Sequence, residues 1–171
     1  MKVILINGSP KEKGCTYTAL REIEKQLQKN NIETEIFWLG NKPISGCIGC
    51  GSCLKTGECF MQDKVNEFLE KVPKTDGFIF GSPVHFAATS GMLSSFMDRV
   101  FYGRRKLFSN KLGSAVVSCR RGGATAALDE INKYLETNKK VEGKIVDRIN
   151  DGTIKIGDYV KYTPDTASTT E

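Results

Sequence analysis

The chain has 171 residues, 39% hydrophobic and 26% charged, enough to bury one sizeable core and too few for two large domains. Its net charge of +5 arises from 25 basic and 20 acidic residues spread along the sequence, without the Lys/Arg tract or interleaved aromatics of a nucleic-acid binder. The opening "MKVILINGSP" breaks its apolar run at Gly8, too early for a secretory signal or a bilayer span, so a cytoplasmic protein without a membrane partner is expected.

"VILI" (3–6) is a continuous β-branched run that predicts a strand, and "YTALREIEKQLQKN" repeats Leu20, Ile23 and Leu27 at helical spacing. A second strand is predicted over "IETEIFWL" (32–39), and a helix over "DKVNEFLEKV" (63–72), where Val65, Phe68, Leu69 and Val72 share a face. "DGFIFGSP" (76–83) is apolar enough for the centre of a sheet, "GMLSSFMDRVFY" (91–102) reads as helix, and "LGSAVVSC" (112–119) is a fourth strand leading into "RRGGATAALDEINKYLE". Strands alternating with helices predict a doubly wound parallel α/β sheet, because a parallel return needs a crossover and the crossover is usually a helix. Ligands of such sheets sit at the carboxyl ends of the strands, where strand order reverses.

Beyond about Asn138 the pattern changes. "KIVDRI", "TIKIG" and "DYVKY" look like short strands between turns, and "PDTASTTE" is a polar tail. The expected organisation is a main domain over 1–137 and an atypical β-rich segment over 138–171.

Three loops follow predicted strands. In "NGSPKEKGCTYT", Gly8 and Gly14 permit tight backbone, while Ser9, Thr16 and Thr18 bring hydroxyls to a helix N-terminus, which suits a phosphate. The stretch has neither GxxxxGK[ST] nor GxGxxG, so neither a triphosphate loop nor a dinucleotide loop is indicated, and a plain polar loop with an N-cap threonine is the competing reading. In "GSPVHFAATSG", Pro83 fixes backbone direction, and His85 and Phe86 flank space kept open by Ala87, Ala88 and Gly91 for a flat ring. His85, the sole histidine, carries no acid-base assignment. "SCRRGGAT" adds paired arginines and glycines, giving positive charge and backbone donors. Any of the three alone is an ordinary turn; together they describe a pocket for a phosphorylated planar ligand.

"GCIGCGSCLKTGECF" places Cys47, Cys50, Cys53 and Cys59 at C-x2-C-x2-C-x5-C spacing. Short intervals let one loop deliver several thiolates to a [4Fe-4S] cubane. A four-thiolate zinc site and thiols without metal stay open as alternatives, zinc ranking lower because structural zinc usually joins two separated pairs. Cys15 and Cys119 lie outside the motif and are expected to be buried or pocket-lining.

The pieces "GSPKEKGCT", "GSPVHFAATSGMLSSFMDR" and "SCRRGGAT" resemble the NAD(P)H-dependent FMN reductase and iron-sulfur flavoprotein family, a branch of the flavodoxin-like superfamily, over roughly the first four-fifths of the chain. The resemblance implies a flavodoxin-like three-layer fold in which Ser9, Lys11, Gly14, Cys15, Thr16 and Thr18 surround the FMN phosphate. It places Pro83, Val84, His85, Phe86, Ser118, Arg120, Gly122 and Gly123 along the isoalloxazine ring, and Cys47, Cys50, Cys53 and Cys59 as candidate cluster ligands. Three departures stand out: Lys11 replaces the usual Arg, Cys15 the usual Asn and His85 the usual Tyr, which takes from the phosphate loop a bidentate cation and a side-chain amide. The family also continues with a fifth parallel strand, which residues 138–171 do not visibly match.

The implied function is an FMN-dependent oxidoreductase fed by NAD(P)H and reducing flavin, quinone or another small acceptor, with a homodimer as the assembly. The competing functions are an electron carrier with FMN and a [4Fe-4S] cluster, exchanging electrons with a ferredoxin-like protein, and a non-catalytic flavin-binding relic.

Overall fold

The apolar run at the N-terminus does form the innermost strand. The computed structural model describes residues 1–136; in it Lys2–Asn7 is strand β1, and Ile4, Leu5 and Ile6 are fully buried on both sides. Glu33–Trp38 (β2), Gly77–Pro83 (β3) and Leu112–Ser118 (β4) complete a parallel sheet of order β2-β1-β3-β4. Helices α1 (Cys15–Lys29), α3 (Lys64–Lys71) and α4 (Gly91–Arg104) provide the crossovers, with a short α2 (Ser52–Thr56) in the second connection, and α5 (Ala124–Glu136) follows β4.

Alternate residues of β1 supply two separate cores, as the period of a strand requires. Val3 and Leu5 meet Leu20 and Leu27 of α1. Ile4 and Ile6 meet a larger cluster formed with α3, α4 and α5. Phe68 of α3 is the hub of that cluster: its ring centroid lies 5.5 Å from Phe37, 5.6 Å from Phe78 and 5.1 Å from Phe96. The helices therefore cover both faces, the doubly wound arrangement expected from the sequence.

Chain order reverses between β1 and β3, which send their crossovers to opposite faces and open a crevice at their carboxyl ends. Register aligns the loop entrances: Asn7 pairs with Trp38 and with Gly81, and Pro83 pairs with Ser118.

Helix α2 has no counterpart among the elements predicted from periodicity. Gly51 and Gly57 sit at φ +70° and +83° on either side of it, and these left-handed residues start and stop one short helical turn inside an otherwise irregular loop. The expected C-terminal strands and the division at residue 137 lie outside the described residues.

Candidate functional site

The first loop is shaped by its own side chains. Asn7, wholly buried, accepts from the Ser9 amide through Oδ1 at 3.1 Å and donates through Nδ2 to the Glu12 carbonyl at 3.0 Å. Ser9 is committed to the same turn: its Oγ accepts from the Lys11 amide at 3.1 Å and its carbonyl accepts from Trp38 Nε1 at 2.8 Å. Gly8 donates to the Gly81 carbonyl at 2.8 Å, and a Cβ at Gly8 would stand 2.8 Å from that oxygen, so only glycine lets β1 and β3 approach this closely.

The loop delivers the chain to the N-terminus of α1. The N-cap Gly14 contributes no side-chain hydrogen bond and the first turn holds no acidic residue, so the amides there remain receptive to an anion. Lys11 and Cys15 are exposed beside it. Thr18 Oγ1 turns back to the Gly14 carbonyl at 3.2 Å, whereas buried Thr16 puts its Oγ1 2.9 Å from Ser118 Oγ and so ties the first loop to the third.

In the second loop His85 and Ala88 exchange two backbone hydrogen bonds, of 2.9 and 3.0 Å, across Phe86 and Ala87. Both central residues have positive φ, +51° and +61°, in a tight turn that usually recruits Asn and Gly. The Phe86 side chain is fully exposed, at 106%. Gly123 of the third loop sits under the turn at φ +93°, and a Cβ there would fall 2.6 Å from Ala87 Cα. The Val84 amide donates to the Ser118 carbonyl at 2.9 Å, extending the β3–β4 pairing beyond Pro83. Arg120 and Gly122 lie on the exposed part of the third loop. Of the two expectations for Cys15 and Cys119, buried or pocket-lining, burial does not hold: both are exposed, because each stands just outside the Thr16–Ser118 contact.

Residues given no ligand role from the sequence brace these loops. Ser90 caps α4 by accepting from the Leu93 amide at 3.2 Å, and its hydroxyl donates to the Gly8 carbonyl at 2.7 Å. Glu130 of α5 accepts from the Thr89 amide at 2.8 Å, the Thr89 hydroxyl at 2.9 Å and the Ser94 hydroxyl at 2.7 Å. Burial alone would push the Glu130 carboxyl up, but these donors outweigh it and hold it below its ordinary value.

A second centre lies in the β2–α3 connection. Cys47, Cys50, Cys53 and Cys59 all line one concavity that opens to solvent, with Arg99 in its wall and Ile48, Phe60, Met61 and Tyr102 as apolar lining. Asn66 holds Cys59 by its backbone, donating to the carbonyl at 2.7 Å and accepting from the amide at 3.0 Å. The Gly49 amide approaches Cys47 Sγ at 3.5 Å. Helix α4 leaves room for Cys53 at Gly103, where any Cβ would collide with the sulfur. Among the described residues no three cysteine, histidine or acidic side chains are close enough to share one metal ion. A cubane makes a different demand, since it gives each thiolate its own iron, and four thiols around a common cavity suit that donor set.

Arg99 is the residue that organises this wall. Its side chain is 1% exposed and grips Asp63 through two nitrogens, at 2.5 and 3.0 Å. It also donates to the Met61 carbonyl at 2.9 Å, the Ser45 carbonyl at 3.3 Å and Cys59 Sγ at 3.2 Å. Its Nε is buried without a hydrogen-bond partner. Burial opposes the Arg99 charge, but Asp63 and Cys59 more than offset this and raise its pKa.

A family model described as NADPH-dependent FMN reductase matches residues 1–146. An iron-sulfur flavoprotein of Methanocaldococcus jannaschii is 37% identical over 160 residues, covering 92% of this chain and 81% of that protein. An iron-sulfur flavoprotein of Archaeoglobus fulgidus is 32% identical over 162 residues, covering 92% and 80% respectively. Among solved structures, a flavodoxin from the domain Archaea superposes with a TM-score of 0.55 at 15% identity, over 81% of this chain and 75% of that chain, a likeness of fold.

Proposed function

The chain belongs to the NADPH-dependent FMN reductase family, and on that premise we propose that the loops after β1, β3 and β4 hold FMN, that a reduced nicotinamide is the electron donor, and that Cys47, Cys50, Cys53 and Cys59 hold a [4Fe-4S] cluster. The protein is an FMN-dependent oxidoreductase. The bound flavin supplies the electron chemistry, accepting from the donor and passing on to an acceptor, and the chain supplies binding and orientation.

One observation carries the flavin assignment: three loops at the carboxyl ends of adjacent strands are bonded to one another around the uncapped start of α1, through Thr16–Ser118, Ser90–Gly8 and Val84–Ser118. In this reading the amides of the first α1 turn, with Lys11, Cys15, Thr16 and Thr18 around them, receive the phosphate. Ser9 and Gly14 shape that loop from beneath. Pro83, Val84, His85, Phe86, Ser118, Arg120, Gly122 and Gly123 border the ring.

The cysteine concavity favours a second reading within the same class, in which the protein also exchanges single electrons with a protein carrier such as a ferredoxin-like partner. A small acceptor, flavin or quinone, is the alternative at the flavin itself. A second copy of the chain as partner is supported by exposed Phe60, Ile48 and Leu54 beside the concavity. No helix of the described residues is long and apolar enough to cross a membrane.

The deciding experiment is an anaerobic ultraviolet-visible spectrum of purified protein, with iron and sulfide assays on the same sample. Flavin bands with a broad visible shoulder and about four irons and four sulfides per chain support both centres. Flavin bands alone support the reductase with a metal-free cysteine loop. A colourless protein whose melting temperature FMN does not raise would reject the flavin assignment.

A further inference from the structure

We propose that Arg99 is the positioning residue of the four-cysteine site and sets the reduction potential of the cluster held there. The inference rests on the cluster reading above and goes beyond it by assigning a role to a residue that is no ligand.

Position comes first. The loop that carries the cysteines leaves the sheet after β2 and returns at α3, and Arg99 touches both of its ends: the Ser45 carbonyl on the way out, the Met61 carbonyl and Asp63 on the way back. Asp63 in turn caps α3 by accepting from the Val65 amide at 3.0 Å. One buried side chain on α4 therefore closes the base of the loop, and the four thiols are gathered above it around a single cavity. An arginine suits this task because its planar fork can serve a carboxylate, two carbonyls and a sulfur together, which an ammonium cannot.

Potential follows from the same contacts. Adding an electron makes a thiolate-bound cluster more negative, so a donor on a ligand sulfur and a nearby cation favour the reduced form and raise the potential. Arg99 provides both at Cys59, with Nη2 3.2 Å from Sγ. The charge acts through protein and not through water, since the side chain is 1% exposed. Asp63, 29% exposed, partly neutralises it. The two residues are thus opposed levers on one potential.

The test compares wild type, Arg99→Gln and Asp63→Asn after anaerobic iron-sulfide reconstitution, with FMN content and circular dichroism as the check on folding. Potentials are read by dithionite titration of the cluster's electron paramagnetic resonance signal. Arg99→Gln removes the charge and draws the shorter side chain's donor back from Cys59, leaving Asp63 uncompensated, so its potential falls. Asp63→Asn leaves the guanidinium uncompensated, so its potential rises. General loosening of the site would move both variants the same way, and equal shifts or none would overturn the redox half of the proposal.

Limited proteolysis of the metal-free proteins tests the other half. Faster cleavage within residues 45–62 of Arg99→Gln is expected, and unchanged rates would overturn the positioning role. If wild type takes up no iron, the cluster reading fails and the redox role falls with it, while proteolysis still decides the positioning role. Should Arg99→Gln fail to fold, Asp63→Asn alone decides the redox role: a raised potential supports the proposal and an unchanged or lowered one overturns it.

Discussion

Gly103 of α4 lies directly against Cys53 of α2: the space a methyl group would take at Gly103 is already filled by the Cys53 sulfur. A glycine inside a helix costs about 1 kcal/mol relative to alanine, so its presence here is explained by what it accommodates. On the proposal that the cysteine loop holds a cluster, Gly103→Ala is expected to leave the melting temperature within a few degrees of wild type while iron retained after chelator challenge falls about tenfold, the usual scale for residues behind a ligand. Unchanged retention would show that Cys53 can move without loss.

The chain has one tryptophan, and it reports on the first loop. Trp38 is half-buried at the end of β2 with its Nε1 on the Ser9 carbonyl at 2.8 Å. FMN added to the apoprotein is expected to quench its emission along a saturable curve. Riboflavin, which lacks the phosphate, is expected to need at least about tenfold more ligand if the α1 terminus and Lys11 hold that group.

Thr16→Val removes the hydroxyl that joins the first and third loops while keeping the shape of a β-branched side chain. Loss of one hydrogen bond of about 1 kcal/mol, together with an unpartnered Ser118, predicts an FMN dissociation constant raised about five- to tenfold, much the same factor expected for Ser118→Ala. The Thr16→Val/Ser118→Ala double variant should be little worse than either single one, because the two residues share one bond. Fluorescence titration of Trp38 would measure all three.

Glu130→Gln tests the brace under the second loop. Replacing the carboxylate weakens three hydrogen bonds to a charged acceptor, a loss of about 1–3 kcal/mol in urea unfolding at pH 7. The folded pKa of Glu130 is lowered from 4.5, so its contribution is present above that value and is lost as pH falls through the folded pKa. The stability gap between wild type and variant should be flat near neutrality and close only in acid below 4.5. A gap that instead persists unchanged into acid would mean the loss comes from packing and not from charge.

What the sequence disclosed, and what it withheld, follows from the range of the interactions involved. Strands such as 3–6 and helices such as that carrying Phe68 were legible because burial period is a local property of the chain. The loops after β1, β3 and β4 were legible as a group because parallel topology forces them to one edge of the sheet. The braces were not. Glu130 meets Thr89 across 41 positions, and Arg99 meets Ser45 across 54; no local spacing marks either pair. Arg99 still left two traces: it closes the quoted stretch "GSPVHFAATSGMLSSFMDR", and it is a charged residue beside Val100 on an otherwise buried helix face. The exposure of Cys15 and Cys119 runs against composition, which ranks cysteine as buried, because position at a strand end and a helix start leaves both outside the packed layers.

The Phe86-Ala87 turn carries a consequence for anyone engineering this protein. Two side chains are kept in left-handed backbone where Asn and Gly would rest without strain, each at about 1–2 kcal/mol. The turn is held in that shape by its neighbours, with Gly123 beneath it and the Glu130 brace beside it. Phe86→Asn with Ala87→Gly should therefore raise the melting temperature, and a stability screen blind to activity would select it early. The same change deletes a fully exposed aromatic ring at the mouth of the crevice, so thermal tolerance and the chemistry of that mouth pull this pair of residues in opposite directions.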